Sequence, residues 1–214
     1  MPALLAFTHF FLIIFSYYII KPVRDALFVK SIGPENLPYF YLAVAAITLV
    51  VVALYNTLSR HLGSRRLVLW LQLFVTANVA AFWLLMRSGT IELSAAFYIW
   101  ASVYNVLLVT VFWSLTNDLF DAAQGRKLYG FIGGGGIMGG IAGSAAASVL
   151  PLRIGTIDCL AVAAGLMALA VVVTVWRLRE LHPQPQSASP MSAAHDEHHG
   201  SLREDIALLF ALLG

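Results

Sequence analysis

Three charged residues stand close together at the end of the first apolar stretch. Lys21, Arg24 and Asp25 occupy positions i, i+3 and i+4, so a helix that continues through them places all three on one face. Ionisable side chains inside an apolar helix usually face a cavity or a partner, and Pro22 frees a backbone carbonyl one turn earlier. The spacing indicates an anion-binding cluster in which Asp25 orients two cations. The alternative is an interfacial cluster whose cations reach toward lipid headgroups.

Other polar residues lie in the fourth and first apolar stretches. Asn105 and Asn117, followed by Asp118, are candidates to line a polar path, and both asparagines are predicted to bind the same ligand as the charged cluster. The alternative is a helix end that Trp113 anchors at the interface and polar residues cap. His9 is predicted to be a packing residue with satisfied hydrogen bonds, with a proton relay as the alternative.

The fifth apolar stretch contains the glycine-rich segment 133–144. Its glycines accidentally fit a dinucleotide-binding pattern, which has meaning only between a strand and a helix, and no strand is predicted. Gly136 with Gly140, and Gly139 with Gly143, form the four-residue spacings of small residues that are typical of close helix packing in membranes. These four glycines are therefore predicted to be helix-packing residues.

The composition identifies the class of protein. Of the 214 residues, 60% are hydrophobic and 11% are charged, whereas soluble domains have about 25% charged residues. The net charge of +2, with basic residues spread over short loops, argues against a nucleic-acid partner. The single cysteine, Cys159, excludes disulfide frameworks, and the His-rich run 195–199 is predicted to be solvated linker rather than a metal site. No catalytic constellation is found, so we predict no enzyme, no metal and no cofactor.

Six stretches are apolar and long enough to span a bilayer, which takes roughly 20 helical residues. They are Ala3–Ile20, Leu37–Leu58, Leu67–Met86, Leu93–Thr116, Leu128–Leu150 and Gly155–Trp176. The predicted connections are Ser31–Asn36, Ser59–Arg66, Arg87–Glu92, Asp118–Lys127 and Pro151–Arg153. The sequence therefore predicts an all-α membrane protein: a six-helix transmembrane bundle over 1–180, a flexible cytoplasmic linker over 181–200, and the start of a truncated seventh helix over 201–214.

The basic residues predict the orientation. Eight of the 13 Lys and Arg residues lie in the loops after the second and fourth stretches and in the tail, and five lie on the other side. Because positively charged loops stay in the cytoplasm, both termini are predicted to be cytoplasmic. The predicted location is the cytoplasmic (inner) membrane, with several passes through the bilayer.

Three segments carry a resemblance to a known family. They are Tyr17-Tyr18-Ile19-Ile20-Lys21-Pro22-Val23-Arg24-Asp25, Val111-Phe112-Trp113-Ser114, and Gly125-Arg126-Lys127-Leu128-Tyr129-Gly130-Phe131-Ile132-Gly133-Gly134-Gly135-Gly136. In their order and spacing, the chain resembles the ATP:ADP antiporters, nucleotide-exchange transporters related to the major facilitator superfamily. The likeness covers Ala3 to Trp176.

The resemblance implies the N-terminal half of a major-facilitator-like bundle of twelve helices, with a second six-helix half as its missing partner. It implies exchange of ATP and ADP by alternating access, with Lys21, Arg24 and Asp25 at the nucleotide. Alternatives are a transporter of another organic anion, and a non-transporting membrane anchor or sensor. One observation is in favour of the anchor or sensor: no ionisable residue lies between Glu92 and Asp118, where the family has an acid in helix four. The charged cluster Lys21, Arg24 and Asp25 argues against it, and transport is the leading interpretation.

Overall fold

The structure is a computed structural model that describes residues 2–62, 64–88, 93–120 and 122–180. The predicted linker over 181–200 and the predicted seventh helix over 201–214 lie outside the described residues.

Six long helices make up almost all of the described chain, and no strand occurs among the described residues. They are α1 Pro2–Ser31, α2 Leu37–Leu62, α3 Ser64–Arg87, α4 Ser94–Leu119, α5 Ala122–Ile154 and α6 Cys159–Glu180, with a short 3-10 turn over Pro34–Asn36. Each of the six is long and apolar enough to cross a membrane. The prediction of an all-α chain with six such helices is confirmed for this part of the sequence.

α1 lies at the centre of the bundle. It packs most extensively against α5, then against α6 and α4, while α3 packs against α6 and α4 and α2 packs mainly against α4. The fully buried residues of α1 lie within one half of the helix circumference, whereas residues on the other half, such as Tyr18 and Val29, are exposed. Aromatic rings fill the contact with α4. The rings of Phe10 and Phe112 stack with their centroids 4.4 Å apart, and the rings of Phe28 and Tyr98 lie 4.5 Å apart at an angle of 42°.

Two connections that were predicted from the sequence are shorter in the structure. Residues 59–62 end α2 and residues 64–66 begin α3, so the basic loop between them is largely helical. Residues 122–127 belong to α5. Polar residues by themselves do not end a helix. A helix can therefore extend beyond its apolar stretch. The predicted ends were wrong because they followed hydropathy.

The end of α5 was also placed too early. Pro151 and Arg153 belong to its last turn, and α5 ends at Ile154. Gly155 follows with a φ of +91°, and its N–H donates to the carbonyl of Pro151 at 3.1 Å. This is the left-handed glycine ending of a helix, which a residue with a Cβ adopts only at a cost. The connection to α6 is therefore the turn over 155–158.

Candidate functional site

The predicted anion-binding cluster lies on one unbroken helix. α1 passes through Lys21, Arg24 and Asp25 and includes Pro22 in its interior. Because proline has no N–H, the carbonyl four residues earlier, on Tyr18, has no helical donor. The helix nevertheless continues to Ser31, so the shared face on which the prediction depends is present.

Arg24 is the most constrained member of the cluster. Its Nε and Nη2 lie 2.9 and 2.7 Å from Oδ1 of Asp25, and its Nη1 donates to Oγ of Ser102 on α4 at 2.8 Å. The guanidinium carbon lies 4.7 Å from the centre of the Tyr98 ring, within the range of a cation–π contact. The Arg24 side chain is 11% exposed, so it points between α1 and α4 rather than away from the bundle.

The contacts of Arg24 use part of its hydrogen-bonding capacity. A guanidinium has five N–H donors, and Asp25 and Ser102 engage three of its nitrogens once each. One N–H therefore remains on each of the two terminal nitrogens. Asp25 is 46% exposed, so its carboxylate is the accessible side of the pair. The two remaining N–H groups can make the first contacts with an incoming oxyanion.

Lys21 is placed differently from Arg24. Its side chain is exposed, and no ion pair or hydrogen bond of its ammonium group is found among the described residues. The structure thus joins Arg24 to Asp25 and leaves Lys21 on the surface of α1.

The two asparagines predicted for α4 lie apart from each other. Asn105 is half-buried three residues beyond Ser102, within one helical turn of the Arg24 contact. Asn117 is exposed near the other end of α4, and its Oδ1 accepts a hydrogen bond from the Tyr129 hydroxyl at 2.8 Å. The rise along α4 puts Asn117 about 22 Å from Ser102, so it does not belong to the same site. The side chain of Asp118 lies outside the described part of the structure.

Sequence reasoning missed Tyr98 and Ser102. Ser102 accepts from Arg24 and donates to the backbone carbonyl of Tyr98 at 2.7 Å, which fixes its hydroxyl. The available signal was that Ser102 is a polar residue within an apolar stretch. Nothing in its spacing indicates that it faces α1, because that depends on how the two helices are rotated.

Glycines hold α5 directly against the backbone of α1. A Cβ added at Gly135 or Gly139 would lie 2.5 Å from the carbonyl oxygen of Phe7 or Phe11, respectively, and one at Gly143 would lie 2.8 Å from that of Phe15. The contacts therefore recur every four residues on both helices, which run parallel. A Cβ at Gly136 would meet the Phe10 ring, whereas one at Gly140 would make ordinary contact with Tyr18 at 3.5 Å.

A second buried polar group joins α1, α3 and α6. Nδ1 of His9 lies 2.9 Å from Nη1 of Arg177, and Nε2 of His9 lies 2.9 Å from Oγ1 of Thr174 and 3.1 Å from Nε2 of Gln72. Thr174 also lies 2.8 Å from Oε1 of Gln72. We call these four residues the His9–Arg177 network. All four are buried, so His9 has polar neighbours as well as apolar ones.

The opposite end of the bundle holds an exposed ion pair. Asp158, in the turn before α6, accepts from Nε1 of Trp83 at 2.9 Å and lies 3.5 Å from Nη1 of Arg87. Both charged side chains are largely open to the surroundings, so this pair joins α3 to the α5–α6 turn at a modest strength.

The described part of the chain has few residues suited to binding a metal ion or to thiol chemistry. No group of three His, Cys, Asp or Glu residues within it is arranged to hold a metal ion. Cys159 is buried and unpaired at the start of α6.

Comparisons with known proteins give no family assignment. The sequence matches no protein-family model, and neither a curated protein nor a solved structure is significantly similar to it. The class that the structure defines is therefore an all-helical bundle with six helices long and apolar enough to span a membrane. The resemblance to nucleotide exchangers rests on the three sequence segments alone.

Proposed function

We propose that the protein is a membrane transporter that exchanges nucleotides of the ATP and ADP type by alternating access. The observation that carries this proposal is Arg24, a cation 11% exposed between two apolar helices and held there by Asp25 and Ser102. A membrane anchor gains nothing from a charge at this position, and such residues commonly mark the path of a substrate. A fixed guanidinium favours an anionic substrate with paired oxygens, which is the chemistry of a phosphate.

The surface of the bundle supports its placement in a bilayer. Large apolar side chains on α2 are mostly exposed, among them Tyr39, Leu42, Leu49 and Val50, and none of the most apolar window of α2 is buried inside the bundle. A soluble monomer rarely exposes so large a continuous apolar surface. The proposed location is a cell membrane, with the termini and the connection between α2 and α3 on the cytoplasmic side, in keeping with the distribution of basic residues.

Exchange requires that Arg24 is never left without a counter-ion. In the structure that counter-ion is Asp25, and an incoming phosphate takes its place on the guanidinium when substrate binds. The accessible carboxylate of Asp25 then turns away, and it returns when the anion leaves. Because the unpaired cation is costly at this depth, the empty site re-forms the internal pair. No bond is made or broken, so the proposed cycle needs no catalytic residue.

The resemblance described above supports nucleotides as the substrate class. It further supports a working unit in which this bundle faces a second bundle of six helices, with the nucleotide between them near the middle of the membrane. The major-facilitator relationship belongs to the same proposal.

One observation favours a second candidate, a non-transporting membrane anchor or sensor. Arg24 already has Asp25, Ser102 and the Tyr98 ring as partners, which is also how a purely structural ion pair is held. In that case Arg24 would stabilise the α1–α4 contact and bind no ligand. The two candidates differ in their response to phosphorylated ligands.

The deciding experiment measures binding and counter-exchange of labelled ATP and ADP by the full-length gene product in proteoliposomes. Arg24→Gln is expected to weaken ATP binding by about tenfold to a hundredfold, as for the loss of one charged hydrogen bond of about 1.5–3 kcal/mol. Arg24→Lys should have a smaller effect, since the charge remains and the planar fork is lost. Binding of uncharged adenosine should not change.

Arg153→Gln is the matched control, because Arg153 is exposed at the end of α5. If Arg24→Gln lowers thermal stability while ATP affinity and exchange equal those of the control, the transporter proposal fails and the anchor is favoured. Uptake of other phosphorylated anions, but not of nucleotides, would support a transporter and would exclude nucleotides as its substrate.

A further inference from the structure

Arg177 is the most completely buried charged side chain in the described part of the protein. It has 0% of its surface exposed, although it lies three residues before the end of α6. Its Nη1 contacts Nδ1 of His9 at 2.9 Å, and its guanidinium carbon lies 5.6 Å from the centre of the Phe112 ring. An arginine stays charged in proteins, so this position holds a buried positive charge.

The contact with His9 fixes what that histidine can do. Arginine is a donor at every nitrogen, so Nδ1 of His9 must accept and carries no hydrogen. The ring hydrogen is then on Nε2, which faces Thr174 Oγ1 at 2.9 Å. His9 therefore contributes one lone pair to Arg177 and no negative charge.

Two nitrogens of Arg177 are left over. Nε and Nη2 are buried and have no hydrogen-bond partner among the described residues. By covalent geometry these two nitrogens form one edge of the guanidinium, with parallel N–H groups whose spacing matches the two oxygens of a carboxylate or phosphate. Nη1, which holds His9, lies on the other side of the planar group.

The same protein shows how this edge is normally satisfied. Arg24 presents its Nε and Nη2 to the carboxylate of Asp25 at 2.9 and 2.7 Å and uses Nη1 for a neutral partner, Ser102. Arg177 likewise uses Nη1 for a neutral partner, His9, but none of the described acidic side chains forms an ion pair with it. The two arginines thus differ in one respect, the oxyanion on the Nε–Nη2 edge.

The partial compensation that Arg177 does receive is small for a buried charge. The carbonyl end of α6 and the face of Phe112 each favour a cation weakly. The cost of burying an unpaired ion in the interior is larger than both contributions together. A bound oxyanion would supply both the missing charge and the two missing acceptors.

We propose that the Nε–Nη2 edge of Arg177 is a binding site for a single oxyanion, a phosphate group, at the end of the bundle where α1 begins and α6 ends. The oxyanion is either the phosphate of an anionic lipid headgroup or free inorganic phosphate. The site lies about 22 Å along α1 from Arg24, the rise over the 15 residues from His9 to Arg24, so it is separate from the site proposed for exchange. It does not depend on the proposed function.

The test uses the full chain, purified in a neutral detergent, and measures the midpoint of thermal unfolding. Sodium phosphate is compared with sodium chloride at equal ionic strength, and phosphatidylglycerol with phosphatidylcholine in mixed micelles. The variants are Arg177→Lys, which keeps the charge without the two-point edge, and Arg153→Lys as an exposed control. We expect either phosphate or phosphatidylglycerol to raise the midpoint of the wild type and the control by a few degrees, and about tenfold more of it to be needed for Arg177→Lys.

The two arms identify the source of the oxyanion. A response to phosphate supports a free anion, and a response restricted to phosphatidylglycerol supports a lipid headgroup. Equal responses of Arg177→Lys and the wild type in both arms would overturn the proposal, as would no response of the wild type in either.

A second measurement uses the unaltered protein, in case Arg177→Lys does not fold. Equilibrium binding of labelled phosphate and of labelled phosphatidylglycerol is measured directly. Saturable binding of one of these per protein is expected for the wild type and for Arg153→Lys. No saturable binding of either would count against an oxyanion site.

Discussion

Arg24 shows how far spacing rules predict a site. Positions i, i+3 and i+4 placed Lys21, Arg24 and Asp25 on one helical face, and the helix does continue through them. The rule favours a pair between Lys21 and Asp25, whereas the structure pairs Arg24 with its direct neighbour Asp25. An arginine side chain is long enough to fold back along its own helix when a second partner, here Ser102, holds its far end. That partner comes from another helix, so spacing within α1 could not reveal it.

Asp25 is expected to act as a competitor of the anion at Arg24. Asp25→Asn should therefore bind ATP more tightly than the wild type, by about tenfold, because a weaker amide acceptor replaces the carboxylate. Without an anion, the variant should unfold at a lower temperature, since Arg24 has lost its charged partner. Equilibrium binding of labelled ATP and thermal unfolding measure the two effects.

Asp158→Asn is the control for this substitution, because it removes the carboxylate of the exposed pair with Arg87 at the other ion-paired position. Its ATP affinity should equal that of the wild type. Weaker ATP binding by Asp25→Asn, to the extent seen with Arg24→Gln, would mean that Asp25 orients Arg24 instead of competing for it.

His9 offers a test of the buried network at a single residue. His9→Phe removes the acceptor that faces Arg177, and it should lower the stability of the folded protein by about 3 kcal/mol. His9→Asn places a carbonyl oxygen near the position of Nδ1 and should cost clearly less. Thermal unfolding of the two variants in one detergent makes the comparison. A larger loss in His9→Asn than in His9→Phe would indicate that the ring, which phenylalanine keeps, matters for packing against Phe112 more than the hydrogen bond of His9 does.

At the scale of helices, the sequence identified the glycine-rich segment as a packing element, but it did not predict which glycines contact α1. The predicted faces were Gly136 with Gly140 and Gly139 with Gly143, whereas the close approaches to the backbone of α1 are at Gly135, Gly139 and Gly143, and Gly136 faces the Phe10 ring. Four consecutive glycines, 133–136, provide a small residue on every side of the helix. The bulky residues of both helices, such as Phe10, determine which side of α5 contacts α1. The spacing of the glycines in the sequence does not predict how these side chains pack.

Gly139→Ala is expected to destabilise the bundle by about 1–3 kcal/mol, because its methyl group would lie 2.5 Å from the carbonyl oxygen of Phe11. Gly133→Ala is the matched control within the same segment, since a Cβ there has no neighbour within 4 Å. Because alanine favours a helix over glycine, the control should be neutral or up to about 1 kcal/mol more stable. Thermal unfolding compares them, and similar midpoints for the two variants would contradict the close α1–α5 contact.

At the scale of the molecule, hydropathy alone predicted six helices, and the described part of the chain has six. Their length and composition follow from the requirement that a backbone in an apolar medium satisfies its own hydrogen bonds. Their arrangement around α1 could not be predicted in this way, because every helix is apolar on most of its surface. The His9–Arg177 network was missed for the same reason: its members come from three helices that are distant in sequence.

The orientation of the protein in the membrane remains a prediction, based on the distribution of basic residues along the whole chain. Eight of 13 basic residues on one side place the loop between α2 and α3 in the cytoplasm. A cysteine introduced at Ser64 in a Cys159→Ser background should therefore react with an impermeant maleimide in opened membranes and not in intact cells. A cysteine at Glu35, between α1 and α2, is the control and should react from outside. The reverse pattern would invert the topology.

The close contact between α1 and α5 also has a consequence for bilayer thickness. The two helices have 30 and 33 residues, which corresponds to lengths of about 45 and 50 Å, whereas the hydrocarbon of a typical bilayer is about 30 Å thick. Since glycines fix α5 on the backbone of α1, the two cannot tilt independently to match the lipid. A change in acyl chain length must then be met by tilting both together, which moves Arg24 and Asp25 to a different depth. In the proposed membrane placement, lipid composition is therefore expected to affect how strongly that ion pair is held.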